Sequence, residues 1–365
     1  MNRFASSWAS AALVSAIGIA LLLGLPGHLD EYDLIQVTIY AVMSILGVSL
    51  AFIWGFGGIL CFGQAAFFGL GAYTYAIAVM NMGDSTVPFL LSIAVPALFA
   101  AVLGYVIFYG RLSDVYMGVI TLTVTLILFN LINSTAGPEW KIGNAPLGGF
   151  NGIPGIPTLN MPGNPEDVLG PKGIFYVTFL SLLVVYLGLR VVIASKIGRV
   201  IVAAKENEQR VLLLGYDARA YKLFCFTLGG AIAGLAGCLF ANWGAFTSPT
   251  IFGLAQSAQI IIWVIVGGLG TLIGPIVGCV LIQWLTTQIG TQQTFNSNLV
   301  LGAILVVFVL MVPRGIMPSL GLAVDWLFRK TRGKTGAEVV AAQVSPPAAT
   351  SRSPTPPLAA YHEPT

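Results

Sequence analysis

Read as apolar and polar positions, the chain is a series of long apolar runs separated by short polar breaks. Two intervals, 34 to 83 and 223 to 313, contain no Asp, Glu, Lys, Arg or His. A bilayer core about 30 Å thick takes about 20 apolar residues per helix, because a helix satisfies its own backbone polar groups there. Each interval therefore holds several spans. Cutting at turn residues and charges predicts ten, at 8 to 26, 34 to 54, 56 to 80, 87 to 110, 115 to 133, 174 to 194, 223 to 243, 256 to 269, 273 to 289 and 298 to 313. The eighth and ninth are short, and the glycines and proline between them read as a turn. The expected fold class is an all-α polytopic membrane protein of about ten transmembrane helices, with a membrane domain over 1 to 334.

Two hydrophilic segments interrupt this rhythm. The first, 134 to 172, is rich in Gly and Pro, so irregular turns are expected there and not a folded domain. It reads about equally as a plain connector or as a functional segment, either a cap over a solute entrance or a docking surface for an extracytoplasmic partner. The second, 195 to 222, carries six basic and three acidic residues. Glu206 and Arg210 are four apart, as are Lys205 and Gln209, and the apolar run 211 to 214 ends at Gly215, which predicts a short amphipathic helix. Such a helix lies on anionic lipid or fits a partner's groove. From 335 to 365 the chain turns to Pro, Ala, Ser and Thr, the composition of a disordered tail.

Composition agrees: 56% of the 365 residues are hydrophobic and 8% charged, against about a quarter charged in soluble domains. Ten spans that start inside place fifteen of the seventeen Lys and Arg residues on the cytoplasmic side, where the positive-inside rule puts them. Both termini are then cytoplasmic. Residues 1 to 26 resemble a signal peptide, yet Leu25-Pro26-Gly27 offers no small-x-small cleavage site, so a retained first helix is expected. The four cysteines fall in spans without paired spacing and read as small apolar residues.

No ionisable residue is predicted at the centre of a span, whereas proton-driven transporters keep one in the bundle. A polytopic chain with no coupling charge and a structured cytoplasmic loop reads as powered from outside itself, although sodium coupling through backbone carbonyls stays open. Gly333-Lys334-Thr335 mimics the end of a phosphate-binding loop, but Phe328 stands where the first glycine belongs. His28 and His362 carry no catalysis, and no metal site or nucleic-acid partner is expected. Small residues at Gly229 and Gly237, and at Gly270, Gly274 and Gly278, form faces for close helix packing. Gln64, Thr121, Thr123, Asn130 and Gln259 are candidates to line a translocation path. Gln64 stands out, because its Gly-flanked stretch GFGGILCFGQAAFFGLGAY allows a loose or broken helix.

That stretch resembles the permease subunits of bacterial branched-chain amino acid importers. The resemblance continues through VYMGVITLT at 115 to 123, GGFNGIPGIP at 148 to 157, GRVIVAAKENE at 198 to 208, and LGYDARAYKLFCFTLGGAIAGLAG at 214 to 237, and ends with GGLGTLIGP and VPRGI. It implies a chain of the bacterial inner membrane that pairs with a second related permease, two cytoplasmic ATPases and an extracytoplasmic solute-binding protein. The chain itself would be a transport subunit and not an enzyme. It would bind no cofactor, with ATP and Mg on the partner ATPases. The resemblance further implies that 198 to 215 is the coupling element. Its helix, around Ala203 to Leu214, would seat in an ATPase groove, with Ala203, Ala204, Lys205, Glu206, Asn207, Glu208, Arg210, Leu214 and Gly215 as the coupling residues.

The chain departs from the amino acid permeases after the acidic pair, where Gln209 to Leu213 and then Gly215-Tyr216 are similar to the urea-permease branch. Gln64 followed by two alanines, and the 148 to 157 loop, are closer to the amino acid branch. Both solute classes, branched-chain or other small amino acids and urea or short amides, stay open, as do an ion-coupled transporter and a membrane scaffold.

Overall fold

The computed structural model describes residues 2–110, 112, 114–137, 139–161, 164–290, 302 and 315–319. The chain divides into Met1–Ser319 and Leu320–Thr365. The expected tail lies outside the described residues, as does the tenth span apart from residue 302.

The other nine predicted spans each have a helix. These are α1 (Asn2–His28), α2 (Glu31–Leu50, continued by a wider helical turn Ala51–Phe56), α3 (Gln64–Met82), α4 (Thr86–Tyr109), α5 (Asp114–Asn133) and α6 (Pro171–Ala194). After two short helices, α7 (Lys196–Glu206) and α8 (Glu208–Leu213), follow α9 (Ala218–Gly244), α10 (Leu254–Gly267) and α11 (Gly274–Gly290). Among the described residues six helical stretches, Glu31–Phe56, Gln64–Met82, Thr86–Tyr109, Tyr116–Asn133, Pro171–Ala194 and Ala218–Gly244, are long and apolar enough to cross a membrane. At 14 residues, α10 reaches only about 21 Å. The ends follow local chemistry. Acidic Glu31 and Asp33 sit in the first turn of α2, where the helix dipole favours them, and Pro171 opens α6, where its missing N–H costs nothing.

The segment between α10 and α11 is a turn, as expected. Gly268 and Gly270 take φ of +109° and +86°, and the two helices then run back along each other. A Cβ on Gly267 would strike the Gly274 carbonyl, and one on Gly278 the Trp263 carbonyl. Gly274 and Gly278 are therefore packing glycines, whereas Gly270 is not: its own Cβ position is open, and the turn uses its left-handed φ.

The core centres on α9, which packs against α3, α4 and α2. Small residues allow this. A Cβ on Gly71 would fall on the Gly234 carbonyl, one on Gly237 on the Phe68 carbonyl, and one on Gly229 on Ile53. The space beyond is filled by aromatic rings in edge contact, Phe67 with Phe226 at 5.4 Å and Phe226 with Phe108 at 5.8 Å, each pair contributing about 0.5–1.5 kcal/mol beyond its area.

The bundle has two rims. One carries α7, α8, the end of α2 and the α10–α11 turn. The other carries the 134 to 172 segment, which holds more structure than turns. Strands β1 (Lys141–Ile142) and β2 (Ala145–Pro146) pair, as do β4 (Asn160–Met161) and β5 (Asn164–Val168). β3 (Ile153–Pro154) pairs with β6 (Phe246–Thr247), which follows α9. Segments predicted to share a side of the membrane thus share a rim.

Candidate functional site

The third predicted span was expected to be helical from 56, but its helix begins at Gln64, and residues 57–63 are unwound. Helix α2 loosens first. Gly57 N–H bonds to Phe52 O at 3.2 Å and Ile59 N–H to Ile53 O at 3.2 Å, five and six residues back. The glycines at 55, 57, 58 and 63 suit this path, since at Gly58 φ is +68°.

This strand of bare backbone climbs into the bundle. Gln64 sits beside Ser49, seven residues before the end of the helical stretch at Phe56, or about 10 Å along its axis. At such depth irregular backbone persists only when buried in protein and hydrogen-bonded. Phe62 N–H donates to Thr121 Oγ1 at 3.2 Å, and that hydroxyl donates to Gly118 O at 3.0 Å. Gly63 presses on α5, where a Cβ would strike the Thr121 carbonyl. The Gln64 amide donates to Ser49 Oγ at 2.8 Å and to Gly229 O at 3.3 Å, while the Cys61 thiol faces its Oε1 at 3.7 Å. One buried side chain thereby joins α2, α3, α9 and the unwound segment.

Of the five residues expected to line a path, Gln64 and Thr121 meet at this segment, and both are occupied in holding it. Thr123 and Asn130 are exposed on α5 and donate to their own helix, at Val119 O and Leu126 O. Gln259 is half-buried on α10.

The coupling element forms differently from its expectation. One helix around Ala203 to Leu214 was predicted; the chain breaks at Asn207 (φ −158°, ψ 100°), giving α7 and α8. Side-chain caps start three helices in succession. Ser195 Oγ accepts from Gly198 N–H, Asn207 Oδ1 from Arg210 N–H at 3.0 Å, and Asp217 Oδ1 from Arg219 N–H at 3.1 Å. With the axis broken, Glu206 and Arg210 no longer share a helix face. Glu208 instead pairs with Lys222 of α9 at 2.6 Å. Ala204, Val211 and Ala218, with Val200 beside them, form a small core at this corner.

The expected coupling residues therefore divide. Ala203, Glu206, Asn207, Arg210, Leu214 and Gly215 are exposed, whereas Ala204 is buried and Glu208 is half-buried. The α8 end projects apolar side chains outward, Leu213 87% and Leu214 75% exposed. Lys205 is exposed as well, yet its Nζ reaches the end of α2 and donates to the Gly55 carbonyl at 2.8 Å.

At the opposite rim three asparagines bind the loop as a cap. Asn81 takes Asn144 N–H at 2.8 Å and donates to Ile142 O at 2.9 Å; Asn242 accepts from Leu159 N–H at 2.7 Å. Asn160 accepts from Ser85 N–H at 2.8 Å and donates to Asp84 at 3.0 Å, which holds the Asp84 carboxyl below its ordinary value. Tyr75 OH donates to Pro157 O at 3.1 Å. Sequence reading did not tie these residues to the loop. Polar residues at the ends of apolar runs, facing a Gly- and Pro-rich loop, were the available signal.

Among the described residues no group of three or more His, Cys, Asp or Glu side chains is placed to hold a metal ion.

Residues 34–309 match the family model described as branched-chain amino acid transport system / permease component. The chain is 29% identical over 310 residues to the high-affinity branched-chain amino acid transport system permease protein LivM of Escherichia coli K12, covering 77% of this chain and 69% of LivM. It is 27% identical over 146 residues to the corresponding LivH of the same organism, 40% of this chain and 46% of LivH. It is also 30% identical over 146 residues to the autoinducer 2 import system permease protein LsrC of Escherichia coli O9:H4, 37% of this chain and 42% of LsrC. No solved structure matches. With the family match running from α2 to beyond α11, the chain belongs to the permease components of branched-chain amino acid transport systems.

Proposed function

We propose that this chain is a transmembrane permease subunit of an ATP-binding-cassette importer for branched-chain or other small amino acids. It works in the bacterial inner membrane with both termini cytoplasmic. A second related permease completes the path, two cytoplasmic ATPases hydrolyse ATP with Mg, and an extracytoplasmic solute-binding protein delivers the solute at the capped rim. The observation that carries this reading is the α7–α8 corner. A capped helix pair ends in leucines exposed on the surface of the chain; facing water, each would forgo about 1.5–3 kcal/mol of burial, a cost that a partner's groove removes. Fifteen of seventeen basic residues fall on that side in the ten-span reading, which supports its being cytoplasmic.

Urea or a short amide is the second reading for the solute, favoured by the Gln209 to Tyr216 sequence. The two are separated by solute-stimulated ATP hydrolysis in proteoliposomes with the presumed partners, comparing leucine, valine and urea. Stimulation by leucine or valine supports the first reading and by urea the second. Solute movement by this chain unaided overturns the importer reading.

A further inference from the structure

We infer that Lys205 is a positioning residue that transmits movement of the α7–α8 pair to the unwound segment 57–63, and so to the Gln64 node. This deepens the importer reading above and rests on it for the source of the movement.

Four observations converge. The carbonyls at a helix C-terminus lack intrahelical partners and favour a cation. As α2 ends, the N–H groups of Gly57, Gly58 and Ile59 go to Phe52, Trp54 and Ile53, and the Gly55 carbonyl receives the Lys205 ammonium instead, at 2.8 Å and from 150 residues away. The lysine stem lies along the next turn: a Cβ on Gly58 would stand 2.7 Å from Lys205 Cγ. On its other side Gly55 meets the α10–α11 turn, where its own Cβ would stand 2.9 Å from Gly270 N. Gly55 is thus held between that turn and Lys205.

The far end of this linkage is stiff. Lys205 sits one residue after Ala204, which is locked against Val211 and Ala218, and α8 is tied to α9 through Glu208 and Lys222. A push on the exposed leucines of α8 is therefore carried to Lys205. Beyond Phe56 the chain has no helix to absorb displacement until Gln64. Withdrawal of Lys205 frees the segment to shift toward or away from Ser49, Thr121 and Gly229.

Cys61 lies inside this segment and is buried, which makes it a reporter. The test uses the full chain with Cys225, Cys238 and Cys279 replaced by Ala, assembled with its presumed partners in proteoliposomes. Lys205→Met keeps the stem and removes the donor; Lys205→Arg keeps a donor. N-ethylmaleimide labelling of Cys61 is expected to quicken at least tenfold in Lys205→Met, solute moved per ATP hydrolysed to fall at least tenfold, and both to return most of the way in Lys205→Arg. Unchanged Cys61 labelling in Lys205→Met overturns the inference, whatever happens to flux. Faster labelling in Lys205→Met, with no response to the ATPases in any variant, upholds the Lys205 linkage and removes the importer reading instead.

Discussion

Gln64 Nε2 donates to Ser49 Oγ at 2.8 Å, fastening the first residue of α3 to the interior of α2 across the unwound segment between them. Ser49 spends its own proton on Leu46 O at 2.6 Å, so it serves Gln64 as an acceptor. The result is a polar lock in an apolar bundle, with both amide protons of Gln64 placed on acceptors.

Replacing Gln64 by Leu roughly keeps the volume and removes those bonds, leaving Ser49 Oγ without its donor and the Gly229 carbonyl with only its helical partner. A loss of about 1–3 kcal/mol is expected, with Ser49→Ala costing less. Their double-mutant cycle, measured by heat unfolding in detergent, should return a coupling of about 0.6 kcal/mol, the usual size inside membranes. A coupling of zero would mean that the two side chains do not meet in the bilayer.

The α3–α9 contact predicts a contrast between two glycines. Gly71→Ala puts a methyl group on the Gly234 carbonyl, and since backbone cannot step aside, a loss of roughly 2–3 kcal/mol is expected. Gly188→Ala in α6 has nothing within 4 Å of the new Cβ and should hold or gain up to about 1 kcal/mol from helix propensity. Equal unfolding midpoints for the two variants would contradict the close crossing.

Apolar run length located the spans, because burial in lipid demands it of every residue in the run. It failed at 56 to 63, where the run continues but the chain is not helical. Ile59 and Cys61 are buried in protein and Leu60 and Phe62 partly so, and only the glycines around them marked a departure. Asn207 was read as a helix interior residue, though Asn with a donor N–H three residues later is also an N-cap pattern. Choosing between those readings takes the Glu208–Lys222 pair, a contact over fourteen residues. Lys205 and Gln64 were picked out as site residues, but that they meet Gly55, Ser49 and Gly229 is a tertiary fact with no local trace.

The cap should respond to acid in a defined direction. Asn160 donates to the Asp84 carboxylate and holds its pKa below the ordinary 3.8. A depressed native pKa means that this contribution is fully present above the ordinary value and is lost as pH falls through the native one. Protease cleavage within 134 to 172 should therefore stay flat from about pH 8 to pH 5 and show no Asp84-linked loosening until below the ordinary carboxylate range. Asn160→Ala removes the largest cause, so the Asp84 carboxyl, followed by NMR, should titrate closer to its ordinary value, with the cap cut faster at neutral pH. An unmoved titration would show that Asn160 does not reach Asp84.

Leu213 and Leu214 decide between a partner and a lipid surface for α8. Both are so exposed that changing them to Ser should alter the stability of the isolated chain by no more than about 0.5 kcal/mol. Seated in a groove, each leucine would bury area worth about 1.5–3 kcal/mol, so the double variant should weaken binding of the purified ATPase at least a hundredfold in a titration. Lying on lipid, the same leucines would leave ATPase affinity untouched. The variant would then alter only how α8 meets the bilayer, read as quenching of a fluorophore at position 212 by brominated lipid. Loss of ATPase binding with quenching unchanged places the leucines in the partner. The reverse pattern leaves the α7–α8 corner without its proposed seat, and the importer reading without the observation that carries it.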